Sequence, residues 1–143
     1  MTCCTFFGHK DTPNEIAPLL RLVLVDLIEN KNVDTFYVGN NGNFDRLVYR
    51  TLCLLKERYP QIQYTVVLAY MPTKRCEIYF RECESLLPDD LENASPRYAI
   101  VKRNDWMIAQ ATYVITYVKY IGGAKKSQER AQKKGKTVIN LAE

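Results

Sequence analysis

Three short stretches combine glycine, amides and charge in a way suited to holding a polar ligand: "FFGHK" (6 to 10), "VGNNGNFDR" (38 to 46) and "YVKYIGGAKK" (117 to 126). Gly39, Gly42, Gly122 and Gly123 lack a Cβ, so backbone N–H groups there can come close to a guest. A helix starting just after such a turn aims its positive end at the same point, which favours an anion and above all phosphate. Asn41 adds a side-chain amide. Asp45, three residues after Gly42, either favours the helix dipole from the first turn or accepts hydrogen bonds from a ribose hydroxyl or a base. His9 either contacts ligand or bonds backbone at a strand end. The first is preferred because Gly8 and Lys10 flank it, and Lys10 either pairs with phosphate or is simply solvated. Arg103 follows an apolar run and can meet an anion bidentately. Its neighbours Trp106 and Met107 read more readily as core. Tyr117 and Tyr120 stand at the third stretch, where they either stack on a base or cover a sheet edge. Asn-Gly is also a common turn dipeptide, so each glycine stretch taken singly has a purely structural reading.

Composition narrows the class of protein. The 143 residues amount to one domain, large enough to bury a core without staples. The five cysteines are odd in number and scattered, with no CxxC and no secretory signal ahead of them, so a reduced, cytoplasmic setting is expected. A single histidine argues against zinc, and no metal site or required cofactor is expected. The longest apolar run, Leu19 to Ile28, is broken by Arg21 and Asp26 and is too short to span a bilayer. The formal charge of +4 comes largely from Lys125, Lys126, Arg130, Lys133, Lys134 and Lys136. With few aromatics among them, they read as a solvated helix face in preference to a nucleic-acid patch.

Apolar bursts alternate with longer segments of helical period, the pattern of an α/β protein. "TCCTFF" (2 to 7) is uncharged on both faces, as suits a strand covered on both sides. The spacing then predicts a helix over 15 to 30 with Pro18 in its first turn or at a kink, a strand at "TFYVG" (35 to 39), a helix over 44 to 58 and a strand at "YTVVLA" (64 to 69). Between Tyr70 and Pro96 the signal is poorer: a short helix near 77 to 84 and a polar, lid-like loop "LPDDLENASP". "YAIVK" (98 to 102) reads as a fourth strand, "NDWMIAQA" (104 to 111) as a short helix capped by Asn104, and "TYVITYV" (112 to 118) as a fifth strand. A basic helix to Lys134 and a strand at "KTVINL" (136 to 141) complete the chain. The expected fold is a single Rossmann-like domain over 1 to 143, a mainly parallel sheet with helices on both faces. In such a sheet the three glycine stretches share the carboxyl edge of the strands and should converge there.

The order of "TFFGHK", "VGNNGNFDRLV", "RNDWMIAQATYVITYV" and "IGGAKKSQERAQKKGKTVINL" resembles the SLOG superfamily, with the closest look to its YpsA-like, DUF1273-type branch. The resemblance covers nearly the whole chain and is weakest over 70 to 96. It implies a Rossmann-like fold that binds nucleotides or nucleotide-derived ligands. It also implies ligand-facing positions at Gly8, His9 and Lys10, at Gly39, Gly42 and Asp45, and at Gly122, Gly123 and Ala124. Lys10 stands where an arginine is more usual, keeping the charge but losing the planar fork. Enzymatic relatives, phosphoribohydrolases and nucleoside deoxyribosyltransferases, place a catalytic glutamate in the helix after the last glycine-rich turn. Here Lys125, Lys126 and Ser127 occupy that stretch and Glu129 is displaced by two positions, about 200° around a helix.

The expected function is therefore binding or sensing of a nucleoside phosphate or an ADP-ribose-like ligand. An N-glycosidic-bond enzyme using Asp45 or Glu129 is the alternative, and nucleic-acid binding through the basic segment is a weaker third. Replacing Gly42 or Gly123 with Val is expected to abolish ligand binding while sparing the fold, since both are placed on loops. The first helix has an apolar arc wider than one sheet face covers, from which a homo-oligomer, a dimer or a dimer-based assembly joined through the first or second helix, is expected.

Overall fold

The strand nearest the N-terminus, β1 (Cys3–Gly8), is buried along nearly all its length, as an uncharged strand must be when helices cover both faces of the sheet. The computed structural model describes residues 1–69, 84–86 and 96–142. After β1 come a 3₁₀ turn (Asn14–Ile16), α1 (Ala17–Asn30), β2 (Thr35–Val38), α2 (Asn43–Arg58), β3 (Gln63–Val67) and β4 (Glu84–Leu86). Then follow α3 (Pro96–Gln110), β5 (Tyr113–Tyr117), α4 (Gly123–Lys133) and β6 (Thr137–Asn140). The six strands form one sheet in the order β4-β3-β2-β1-β5-β6. Every neighbouring pair is parallel. The fold is thus α/β and Rossmann-like.

Alternation along the strands builds two cores. Cys4, Phe6, Phe36 and Ile115 pack with Leu20, Leu24 and Leu27 of α1 and with Phe44, Leu47, Val48, Leu52 and Leu55 of α2. Phe7 and Val114 point the other way, onto Met107 and Ile108 of α3, Ala111 just after it, and Ala131 of α4. The α2 residues Phe44, Leu47, Val48, Thr51, Leu52 and Leu55 are all buried, at the spacing of one helix face. Asp45 lies in the first turn of α2 and Lys56 and Arg58 in its last, each on the side that the helix dipole favours. Pro18 sits in the first turn of α1, where its missing N–H costs nothing. The apolar arc of α1 does exceed what the sheet covers: Leu19 and Leu22 are exposed, as is Leu54 on α2. No helix among the described residues is long and apolar enough to cross a membrane.

The fourth strand differs from the sequence reading. "YAIVK" lies inside α3, which runs unbroken from Pro96, so Asn104 is an interior helix residue and not a cap. Ala99, Arg103 and Met107 are buried at intervals of four, a helical stripe that outweighs the weak strand preference of Ile100 and Val101. The fourth place in the sheet goes to Glu84–Leu86, paired with β3. The short helix read near 77 to 84 lies outside the described residues except for Glu84, which is strand, and the loop read over 87 to 96 likewise lies outside them up to Pro96.

The order of the sheet creates the site. From β1 the chain builds outward through β2, β3 and β4 on one side, while β5 and β6 fill the other. Loops leaving β1 and β5 therefore diverge, opening a crevice at the carboxyl ends of those two strands.

Candidate functional site

A cleft of about 560 Å³ occupies this crevice. Its walls come from the end of β1 (Phe6 to Asp11), the β2–α2 junction (Asn41 and Asp45), one face of α3, and the turn into α4 (Tyr120, Gly122, Gly123, Ala124) with Ser127. The three glycine stretches do converge.

Each wall has a local cause. At α4 the helix starts at Gly123 behind an extended Gly122, with no side chain capping its first N–H groups. A Cβ on Gly122 or Gly123 would meet nothing within 4 Å, and both glycines line the cleft. Ser127, one turn further along α4, is buried on the same face. Its hydroxyl lies 3.4 Å from Asn104 Nδ2 of α3.

The β2–α2 junction and α3 contribute two buried charged residues to the lining. Asp45 is only 8% exposed, and its Oδ2 accepts the Asn41 N–H at 2.9 Å. Burial pushes its carboxyl up from 3.8 to about 6, against the opposing pull of the Arg103 guanidinium and the Asn41 hydrogen bond. Arg103 is buried too, donating from Nε to Asn104 Oδ1 at 3.1 Å and from Nη1 to Asn40 Oδ1 at 2.9 Å. Gly39 lies behind this pair: a Cβ there would stand 2.8 Å from Asp45 Oδ2 and 3.2 Å from Arg103 Cζ. It makes room for the charged residues and does not itself line the cleft.

Gly42 likewise works behind the wall. Its φ of 101° is one that L side chains rarely adopt, and a Cβ would lie 2.7 Å from Lys10 Cα. This tight contact lets the Asn43 N–H reach the Lys10 carbonyl at 2.9 Å, fastening the β1 loop across the start of α2. The expectation that Gly42→Val spares the fold is corrected, because backbone packs against backbone there. Gly8 does line the cleft, yet a Cβ on it would sit 2.2 Å from Phe44 Cγ, so its absence of a side chain also serves the core.

His9 and the tyrosines are arranged differently from a simple ligand contact. His9 Nε2 accepts the Lys119 N–H at 2.9 Å, its ring stacks on Tyr120 at 3.7 Å, and it borders the cleft. Tyr117 is buried, edge-on to His9, and is not a lining residue. Tyr120 does line the cleft. Lys10 is an exposed residue at the rim. Glu129 is exposed on α4 and does not line the cleft, whereas Ser127 does.

Sequence reading missed the contribution of α3 other than Arg103. Ile100, Arg103, Asn104 and Met107 all line the cleft. Their 0, 3, 4, 7 spacing is the signature of one helix face and was available in the sequence, though hidden by the strand-like "YAIVK". Trp106 lies off this stripe, edge-on to Tyr37 at 5.2 Å. Among the described residues, no group of three or more His, Cys, Asp or Glu side chains is placed to hold a metal ion. Of the basic residues of α4, Arg130 is paired with Asp105 at 3.1 Å.

No protein-family model matches the chain, and no curated protein matches it.

Proposed function

We propose that the chain binds a nucleotide-derived small molecule, a nucleoside phosphate or an ADP-ribose-like ligand, in the cleft between β1 and β5. The observation that carries this reading is the pairing of two polar features in the lining of the cleft. One is the uncapped start of α4 at Gly123 and Ala124, and the other is the buried carboxyl of Asp45. Backbone N–H groups at a helix start favour a phosphate. A carboxylate that spends one oxygen on Asn41 keeps acceptor capacity for a ribose hydroxyl or an exocyclic amine. Arg103 neutralises part of the charge between them.

The test is a titration with AMP, NAD and ADP-ribose, followed by calorimetry and thermal shift. At least one should raise the melting temperature, since a ligand that favours the folded state stabilises it by mass action. Gly123→Val should weaken that ligand by at least about 100-fold, roughly 3 kcal/mol, while leaving the melting temperature of the free protein unchanged. Its new side chain would meet nothing within 4 Å, at a residue that lines the cleft. Unaltered affinity in this variant would refute the phosphate position.

One observation favours a second reading, cleavage of an N-glycosidic bond: Asp45 is a buried carboxyl held near 6, a range suited to acid–base work. Release of free base or nicotinamide that vanishes in Asp45→Asn would select it over binding alone.

A further inference from the structure

We propose that His9 is a proton-sensitive latch, a positioning residue whose neutral imidazole holds the turn between β5 and α4 in place and whose protonation releases that turn. This inference stands apart from the identity of any ligand. His9 Nε2 faces two consecutive backbone donors, the N–H of Lys119 at 2.9 Å and that of Tyr120 at 3.4 Å. Only an unprotonated Nε2 can accept them, so the ring proton resides on Nδ1. The ring lies flat on Tyr120, with centroids 3.7 Å apart and planes 4° apart. The Tyr120 hydroxyl in turn bonds the Asp11 carboxylate, closing a loop of contacts between the end of β1 and the turn.

The latch is braced from both sides. On the β1 side, the His9 carbonyl accepts the Thr12 hydroxyl at 2.6 Å and the Thr12 N–H at 3.2 Å. On the β6 side, Asn140 exchanges two hydrogen bonds with the backbone of Val118, the residue before Lys119, at 3.0 and 3.1 Å. The turn is thus pinned at Val118 by β6 and at Lys119 and Tyr120 by His9. Gly122 and Gly123, which line the cleft, follow.

Protonation would place an Nε2–H against two N–H donors, leaving three donors and no acceptor. Several charged or titratable groups bear on the ring. Asp11 lies on its own loop and pulls protonation upward, while Lys119, on the turn, sits with its ammonium 5.7 Å from the Tyr117 ring centre. Tyr117 and Tyr120 supply the aromatic walls, Lys10 adjoins, and Asp45 and Arg103 line the same cleft. Burial is the largest influence and pushes the imidazole below its ordinary value of 6.5. The turn is therefore held by the neutral imidazole and freed only as pH falls below the ordinary histidine range.

His9 is the single histidine, so its imidazole resonances need no sorting. Nitrogen NMR of the full chain is expected to show Nδ1–H and a bare Nε2 at neutral pH. Between about pH 8 and 5, the Lys119 and Tyr120 amides should shift together with the ring and lose at least about tenfold in protection from exchange. His9→Phe, which keeps the stack but has no acceptor, should show the unlatched amides at every pH. His9→Gln, which offers a non-titrating acceptor, should remove the pH dependence. A protonated Nε2 at neutral pH, or Lys119 and Tyr120 amides indifferent to the ring's titration, would overturn the proposal. These two wild-type measurements decide it even where a variant fails to fold.

Discussion

Asp45→Asn is expected to be more stable than the wild type at pH 7 to 8, by up to about 3 kcal/mol, and to lack the wild type's gain in stability on acidification toward pH 4. The carboxyl of Asp45 is raised from 3.8 to about 6, with burial the largest cause and Arg103 opposing it. A group whose folded value exceeds its unfolded one binds more protons when folded. Its stabilising share is complete below the unfolded value and is lost as pH rises through the folded one. At neutral pH the ionised carboxylate is thus a cost, and a neutral amide of the same shape avoids it. The amide oxygen can still accept the Asn41 N–H, so local geometry is kept. Denaturant melts of both proteins at intervals from pH 4 to 8 check this. Equal or lower stability of Asp45→Asn at pH 8 would mean that the Arg103 attraction outweighs burial. The His9 contribution has the opposite slope, since a depressed imidazole loses stability as pH falls below its ordinary value. For that reason the comparison rests on the difference between the two proteins, in which His9 cancels.

Gly42→Ala is expected to cost at least about 3 kcal/mol, combining a strained backbone with an overpacked contact. The φ of 101° is one that alanine adopts only under strain, and the new Cβ would stand 2.7 Å from Lys10 Cα. Relief would require the β1 loop to lift away, breaking the bond from the Asn43 N–H to the Lys10 carbonyl at 2.9 Å. The Asn43 side chain would lose its grip on Asn14 Oδ1, at 2.9 Å, in the same movement. Chemical denaturation should therefore show a large drop in midpoint for Gly42→Ala, whereas Gly123→Val, at an unobstructed position, should show none. A Gly42→Ala protein as stable as the wild type would indicate that the β1 loop does not rest on the start of α2.

The contrast between these two glycines shows how far a sequence can be read. Both stand in glycine stretches at strand-to-helix junctions, and both look like loop residues beside a ligand. What distinguishes them is the neighbour: Lys10, 32 positions before Gly42 in the chain, packs onto it, while nothing packs onto Gly123. Similarly, the sequence places Ser127 and Glu129 in one basic helix, but the rotation of that helix on the sheet turns Ser127 into the cleft and leaves Glu129 outside.

By itself the sequence determined the α/β alternation, the parallel sheet and the convergence of three junctions at one edge. Those follow from the period of the apolar residues and from the short range of backbone preferences, both local properties. It also marked Asp45 and Arg103 as residues to watch. Tertiary structure decided the rest. It turned "YAIVK" into helix, because burial of Ala99, Arg103 and Met107 on one stripe outweighs the preferences of β-branched residues. It set Asp45 near 6, because a carboxyl's acidity depends on what displaces its water. And it gave His9 partners 110 and 111 positions away, which no local pattern encodes, since hydrogen-bond acceptors are chosen by proximity in space and not along the chain.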